Sequence, residues 1–141
     1  MSFSFSYQVA FPYQPLVGFN GIFPILPFVV HLGDLAVTAV GILDTGSTYT
    51  ILQPQIAEGL GITDLSSGRQ ENILSGGGSF VAYFFDVEIE VTIPGIEKTF
   101  GGQVGFTESP RPRNILGLNL VFQHYHIAFR DSAQMLYLST E

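Results

Sequence analysis

Asp44-Thr45-Gly46-Ser47 follows the apolar run from Val37 to Leu43 and precedes Thr48-Tyr49-Thr50-Ile51-Leu52. A carboxylate at the tip of so hydrophobic a segment is expensive to bury and asks for a reason. Gly46 permits a tight turn beside the acid, and Thr45 and Ser47 place two hydroxyls within hydrogen-bond reach of it. Such surroundings suit a carboxylate whose protonation is controlled for acid–base work. Hydrolysing an amide with carboxylates takes two that share one proton, one as base toward a water and the other as acid toward the carbonyl. The chain holds this loop once, and its 141 residues suffice for one compact core. A second carboxylate must therefore come from a second copy, with Asp44 meeting Asp44 across a two-fold axis.

Two other readings compete. An Asp-Thr-Gly-[Ser/Ala] match arises by chance in roughly one chain of this size in a few hundred, and would then be a turn or bulge chosen for backbone reasons. The apolar strand ahead of it makes chance rarer. A strand-end Asp can also serve phosphoryl transfer, but that chemistry usually wants a second acid two residues on, where Gly46 stands.

Charged residues make up 12% of the chain, about half the usual share, while hydrophobic residues reach 46% with 13 Phe and 6 Tyr. One small domain cannot hide that much apolar surface, which points to a subunit interface. A net charge of −7 disfavours nucleic acid and anionic membranes as partners. Arg111 and Arg113 share one Pro-rich loop, too small a patch to grip a phosphate backbone. There is no cysteine, hence no disulfide or thiolate chemistry. The amino terminus lacks the pattern of a signal peptide, and the stretch from Gly21 to Leu32 is too short and too Pro-broken to span a bilayer. A soluble, cytoplasmic protein is the expectation.

Phe3, Phe5, Tyr7, Val9 and Phe11 alternate with small or polar residues, the period of a half-buried strand, which Pro12-Tyr13-Gln14-Pro15 ends. Asn20-Gly21 marks a tight turn. Phe28 to Leu32, Gly33-Asp34 and Leu35 to Leu43 form a hairpin that runs into Asp44, and Tyr49 to Leu52 continues as strand. A short helix is expected over Gln53–Gly61, with Pro54 in its first turn and Gly61 past its end. Arg69 to Leu74 and Phe80 to Val91 flank Ser75-Gly76-Gly77-Gly78-Ser79. Ile93-Pro94-Gly95-Ile96 turns the chain into a strand from Thr99 to Thr107, and Glu108 to Arg113 is a loop. A second short helix is expected from Leu118 to about Tyr125, then strands His126–Phe129 and Met135–Ser139. The pattern is all-β, a barrel-like lobe with one or two short helices in a single domain.

From about Phe28 to Ser139 the chain resembles the retropepsin-like (retroviral-type, single-lobe) aspartic proteases. Three parts carry the resemblance: the loop Asp44 to Ser47, the Gly-rich hairpin at the position of the flap, and Asn114-Ile115-Leu116-Gly117-Leu118-Asn119-Leu120. It implies Asp44 as the catalytic residue and Thr45, Gly46 and Ser47 as loop support. Thr45 would bond across the dyad to the partner's backbone, the Gly46 N–H would hold the carboxylates coplanar, and the Ser47 hydroxyl would bond an outer carboxylate oxygen. Ser75, Gly76, Gly77 and Gly78 would form the flap, closing over an extended peptide. Ile115, Leu116 and Gly117 would underlie the catalytic loop. Retroviral members place an Asp just beyond the loop and an Arg after the later Gly; Thr48 and Leu118 stand there. Both ends of that ion pair are absent together, as when an apolar contact replaces it.

The expectation is a homodimeric aspartic endopeptidase acting on extended peptides or proteins, its own chain among them, with no cofactor and no metal. Residues 1–27 would extend the lobe at the interface, and residues 28–141 would form the protease domain. The alternative is a catalytically silent module of the same fold that binds peptides or dimerises. His124-x-His126 has the spacing of strand-borne metal ligands but no third ligand nearby. Tyr83, Phe84 and Phe85 are expected to pack in the core, and Asp86, Glu88 and Glu90 to form a solvated strand face.

Overall fold

The computed structural model describes Ser2 and residues 4–140. Its elements run β1 (Val9–Pro12), β2 (Gln14–Pro15), β3 (Ile22–Phe23), β4 (Ile25–Leu32), β5 (Leu35–Leu43), β6 (Ile51–Leu52), α1 (Pro54–Gly59), β7 (Arg69–Ser75), β8 (Gly78–Val91), β9 (Lys98–Phe106), β10 (Asn114–Leu116), α2 (Val121–His124), β11 (Tyr125–Arg130) and β12 (Met135–Thr140). A seven-stranded sheet takes the order β4-β5-β10-β6-β9-β8-β7, and a further pairing of β4 with β8 closes it on itself. β1, β12 and β11 form a second, antiparallel sheet. Among the described residues no helix is long and apolar enough to cross a membrane.

The period of two in the sequence decides which faces turn inward. On β4, Leu26, Phe28 and Val30 are fully buried, and on the far end of β8 Val87, Ile89 and Val91 go inside while Asp86 and Glu88 stay in water. These residues meet Leu52, Ile56, Leu60, Val104, Phe106, Leu116, Leu120 and Leu138 in one core. The hairpin at Gly33-Asp34 is present in the expected register, Leu32 facing Leu35. α1 lies within its expected span and buries Ile56 and Ala57.

Two elements differ from expectation. The strand expected from the alternation at the amino terminus is confined to β1, where Val9 to Pro12 pair with Leu138 to Met135. Phe3 lies outside the described residues, and Phe5 and Tyr7 carry rings that are 69% and 38% exposed. Their alternation is real and the rings lie beside His126 of β11 and Tyr137 of β12, but among the described residues the ladder with β12 begins only at Val9. The helix expected from Leu118 is one turn only, Val121–His124. Leu118 N–H is held by the Ser47 carbonyl at 2.8 Å, and the Asn119 side chain is engaged at both ends. Tyr125 is already extended and paired with Thr140. Tertiary bonds on each side leave room for a single turn.

Tyr125 anchors that short helix to the core. It is 3% exposed and its hydroxyl donates to Ile96 O at 2.7 Å. Burial, then the charge of Glu97, pushes its pKa up to about 12 from an ordinary 10.0. An acid whose folded pKa is raised keeps its proton in the folded state while the unfolded chain loses it. The Tyr125 contribution is therefore intact below about pH 10 and drains away as pH climbs from about 10 to 12. Tyr125→Phe is expected to cost about 1 kcal/mol at neutral pH through the lost hydrogen bond. It is also expected to flatten the alkaline decline, as read from urea midpoints between pH 8 and 12. A decline as steep as wild type would show that another group drives it.

Candidate active site

β5 carries the chain into Asp44, and β10 locks the strand end in place. Gly41, Ile42 and Leu43 run parallel to Asn114, Ile115 and Leu116, and Asp44 N–H donates to Leu116 O at 3.0 Å. The loop then turns on itself, with Ser47 N–H to Asp44 O at 3.2 Å and Gly46 N–H to Asp44 Oδ1 at 2.9 Å. The second of these aims a backbone donor at the carboxylate. The Ser47 hydroxyl behaves differently from its expected role: it donates to Tyr49 O at 2.7 Å, closing the loop rather than reaching Asp44. Thr45 is exposed, and its hydroxyl has no partner among the described residues.

Gly117 lies against the underside of this loop. A Cβ there would stand 2.3 Å from Tyr49 O and 2.7 Å from Ser47 O, so only a glycine allows the approach. Its N–H donates to Thr50 Oγ1 at 3.2 Å. Two asparagines brace the return strand. Asn119 accepts from Thr50 N–H at 2.8 Å and donates to Gln103 O at 2.9 Å. Asn114 accepts from Gln53 N–H at 2.7 Å and donates to Val40 O at 3.0 Å. Sequence reasoning assigned no role to Thr50, Asn114 or Asn119. The available signal was a polar residue within each of three apolar segments, where an unpaired polar group would be costly.

A cleft of about 510 Å³ brings Asp44, Gly46, Ser47 and Thr48 together with Asn72, Ile73, Leu74, Ser75 and Gly76 of the Gly-rich hairpin and with Ile115. Ser75 pairs with Gly78 at the hairpin tip, and Gly78 adopts φ +129°, which a side chain would strain. Beneath the cleft, Ile51, Ala82 and Phe84 form a second apolar cluster with Tyr49, Ile73 and Phe80 against it, coupling loop to hairpin. Phe84 is buried, and none of Tyr83, Phe84 and Phe85 lines the cleft. Leu116 lies beneath, in the main core.

Arg111 and Arg113 also line the cleft. Burial, then the neighbouring charge of Arg113, holds the Arg111 pKa below the ordinary guanidinium value. Among the described residues Asp44 is the one acid in the lining. A larger cavity of about 720 Å³, bounded by Phe11, Leu16, Val37, Ala39 and Ile56, holds no carboxylate and so no acid–base pair. His124 stacks on Phe100 at 4.1 Å and His126 is exposed beside Phe5. No group of three metal-ligating side chains occurs among the described residues.

The sequence matches the family model described as aspartyl protease over residues 29–120. Among solved structures, a retropepsin-like aspartic protease from Rickettsia conorii aligns over 97% of this chain and 96% of that one, with a TM-score of 0.61 and 15% identity. The EIAV protease in complex with the inhibitor HBY-793 aligns over 72% of this chain and 88% of that one, at TM-score 0.42 and 20% identity. The retroviral protease-like domain of Ddi1 from Leishmania major aligns over 83% and 94%, at TM-score 0.46 and 14% identity. No curated protein matches the sequence. The likeness to the Rickettsia protein is one of fold.

Proposed function

The chain belongs to the aspartyl protease family and has the retropepsin-like fold, and from that premise we propose that it is an aspartic endopeptidase active as a homodimer. The observation that carries this reading is a half-site: one Asp44, gripped by the backbone of its own loop, in a cleft that among the described residues holds no second carboxylate. Apolar side chains around it point the same way. Leu74 on the hairpin is 86% exposed and Leu118 beside the loop is 42% exposed, and both are surfaces a second copy would cover. The free hydroxyl of Thr45 is available to bond across such a dyad. We assign residues 1–27 to the same interface, a reading that the exposed rings of Phe5 and Tyr7 support.

In the dimer a water lies between two Asp44 carboxylates that share one proton. The ionised Asp44 removes a proton from the water as its oxygen attacks the scissile carbonyl. The protonated Asp44 gives its proton to the carbonyl oxygen, leaving a gem-diol. Collapse breaks the C–N bond as a proton passes to the departing nitrogen. Ser75 to Gly78 act as the flap, offering backbone hydrogen bonds to an extended peptide and excluding water. Residues 28–141 form the protease domain.

The test combines mass and turnover. Light scattering at micromolar concentration is expected to give twice the chain mass, and the dimer is expected to cut apolar-rich peptides in a pepstatin-sensitive reaction. A monomer that persists at high concentration overturns the half-site argument. A dimer that binds peptides and cuts none favours the silent module, and new termini on the chain itself, seen by mass spectrometry, identify self-processing.

A further inference from the structure

Two of the five basic residues in a chain of net charge −7 face the cleft that holds Asp44. Neither is neutralised. The ion pairs among the described residues are His31–Glu90 and Arg69–Glu71, and Arg111 and Arg113 take part in neither. Each guanidinium is instead held by an aromatic face: Arg111 lies 4.6 Å from the centre of Phe80, and Arg113 5.7 Å from that of Phe19. Stacking of this kind uses the π face of the guanidinium and leaves its in-plane N–H donors unspent. The Nε of Arg111 is buried with no hydrogen-bond partner among the described residues. A buried donor without an acceptor is unusual in a folded protein and calls for a missing partner.

We propose that Arg111 and Arg113 form a carboxylate-binding subsite, so that the cleft selects peptides bearing an Asp or Glu close to the scissile bond. This rests on the protease reading of the cleft. A planar carboxylate matches the guanidinium fork, accepting two parallel hydrogen bonds from it. The two like charges also repel each other when empty, and an anion between them relieves that repulsion. An acidic substrate would otherwise be repelled by the Asp44 pair; the arginines offset that repulsion and hold the acid away from the reacting water. The apolar side chains of Ile73 and Ile115 line the cleft beside it.

The experiment uses capped octapeptides, apolar except for one Glu or Gln moved through every position. Binding is read by fluorescence anisotropy on the Asp44→Asn protein and turnover on wild type. At one position or more, the Glu peptide is expected to bind at least tenfold tighter than its Gln counterpart. That ratio is expected to shrink as salt rises, and to fall below twofold in Arg111→Gln and Arg113→Gln. Arg111→Lys keeps the charge without the fork and is expected to give an intermediate ratio. An uncapped peptide with no Glu separates a chain-terminal carboxylate from a side chain: equal tightening there would show selection for a terminus and overturn the side-chain assignment. A Glu/Gln ratio near one at every position on the Asp44→Asn protein overturns the subsite, with no arginine variant needed. Arginine variants that dissociate into monomers while the remaining dimer discriminates as before also overturn it, since the pair would then serve the interface. Acid-selective binding without any turnover by wild type leaves the subsite standing and defeats the protease reading instead.

Discussion

Asp44→Asn is expected to bring peptide hydrolysis down to the uncatalysed background while the fold and the dimer persist. In a homodimer one substitution alters both members of the dyad, so the general base and the general acid are lost together. Each role is typically worth about 10²–10⁴-fold, and the combined loss should exceed about 10⁴-fold. Structure should survive because Asn retains a side-chain oxygen at the position where Asp44 Oδ1 accepts from Gly46 N–H at 2.9 Å. In the proposed dimer the substitution also removes a like-charge repulsion between two crowded carboxylates, so the variant dimer at neutral pH should be at least as stable as wild type. Continuous peptide assays and sedimentation on the same preparation check both halves. A variant that still turns over peptide takes Asp44 out of the chemistry. One that falls apart at neutral pH makes Asp44 a structural residue held by a cation.

The loop was legible in the sequence because its signals are local. A strand of apolar residues ends, an acid appears, and Gly46 and Ser47 bend the chain within four positions. The hairpin at Gly33-Asp34 and the helix after Pro54 were legible for the same reason, since turn chemistry and capping act over a few residues. The brace behind the loop was not. Asn119 meets Thr50 N–H, and Asn114 meets Gln53 N–H, across separations of 69 and 61 residues. Such bonds leave no period in the sequence, only a polar letter in an apolar word.

The same long-range bonds explain the elements that came out shorter. Leu118 and Leu120 have good helical propensity, but Ser47 and Gln103 hold Leu118 and Asn119 in place. The alternation of Phe5 and Tyr7 implies a covered face, and within one chain most of that face stays open. A period reports that a side will be buried, not which molecule will bury it. Arg111 and Arg113 were visible as a pair in a Pro-rich loop. Their position beside Asp44 depends on how that loop folds over Phe80 and Phe19, which composition does not convey.

Gly117→Ala tests that brace directly and is expected to be the most damaging single-methyl change in the protein. The added carbon would lie 2.3 Å from Tyr49 O, 2.6 Å from Tyr49 C and 2.7 Å from Ser47 O. These are backbone atoms and cannot swing aside as the end of a side chain would. Either the loop that carries Asp44 or the chain at Gly117 has to move. That movement strains the bonds from Gly117 N–H to Thr50 Oγ1 and from Leu118 N–H to Ser47 O. Overpacking typically costs about 1–3 kcal/mol, and each lost hydrogen bond about 1 kcal/mol more. A destabilisation of about 3–5 kcal/mol follows, a large part of the roughly 5–15 kcal/mol that holds a domain together. Urea denaturation should show it as a lowered midpoint with an unchanged slope. Gly76→Ala is the matched control, because a Cβ there meets nothing within 4 Å, and its midpoint should stay close to that of wild type. If both variants unfold alike, the loop is not wedged against Gly117, and the placement of Asp44 by β10 fails with it.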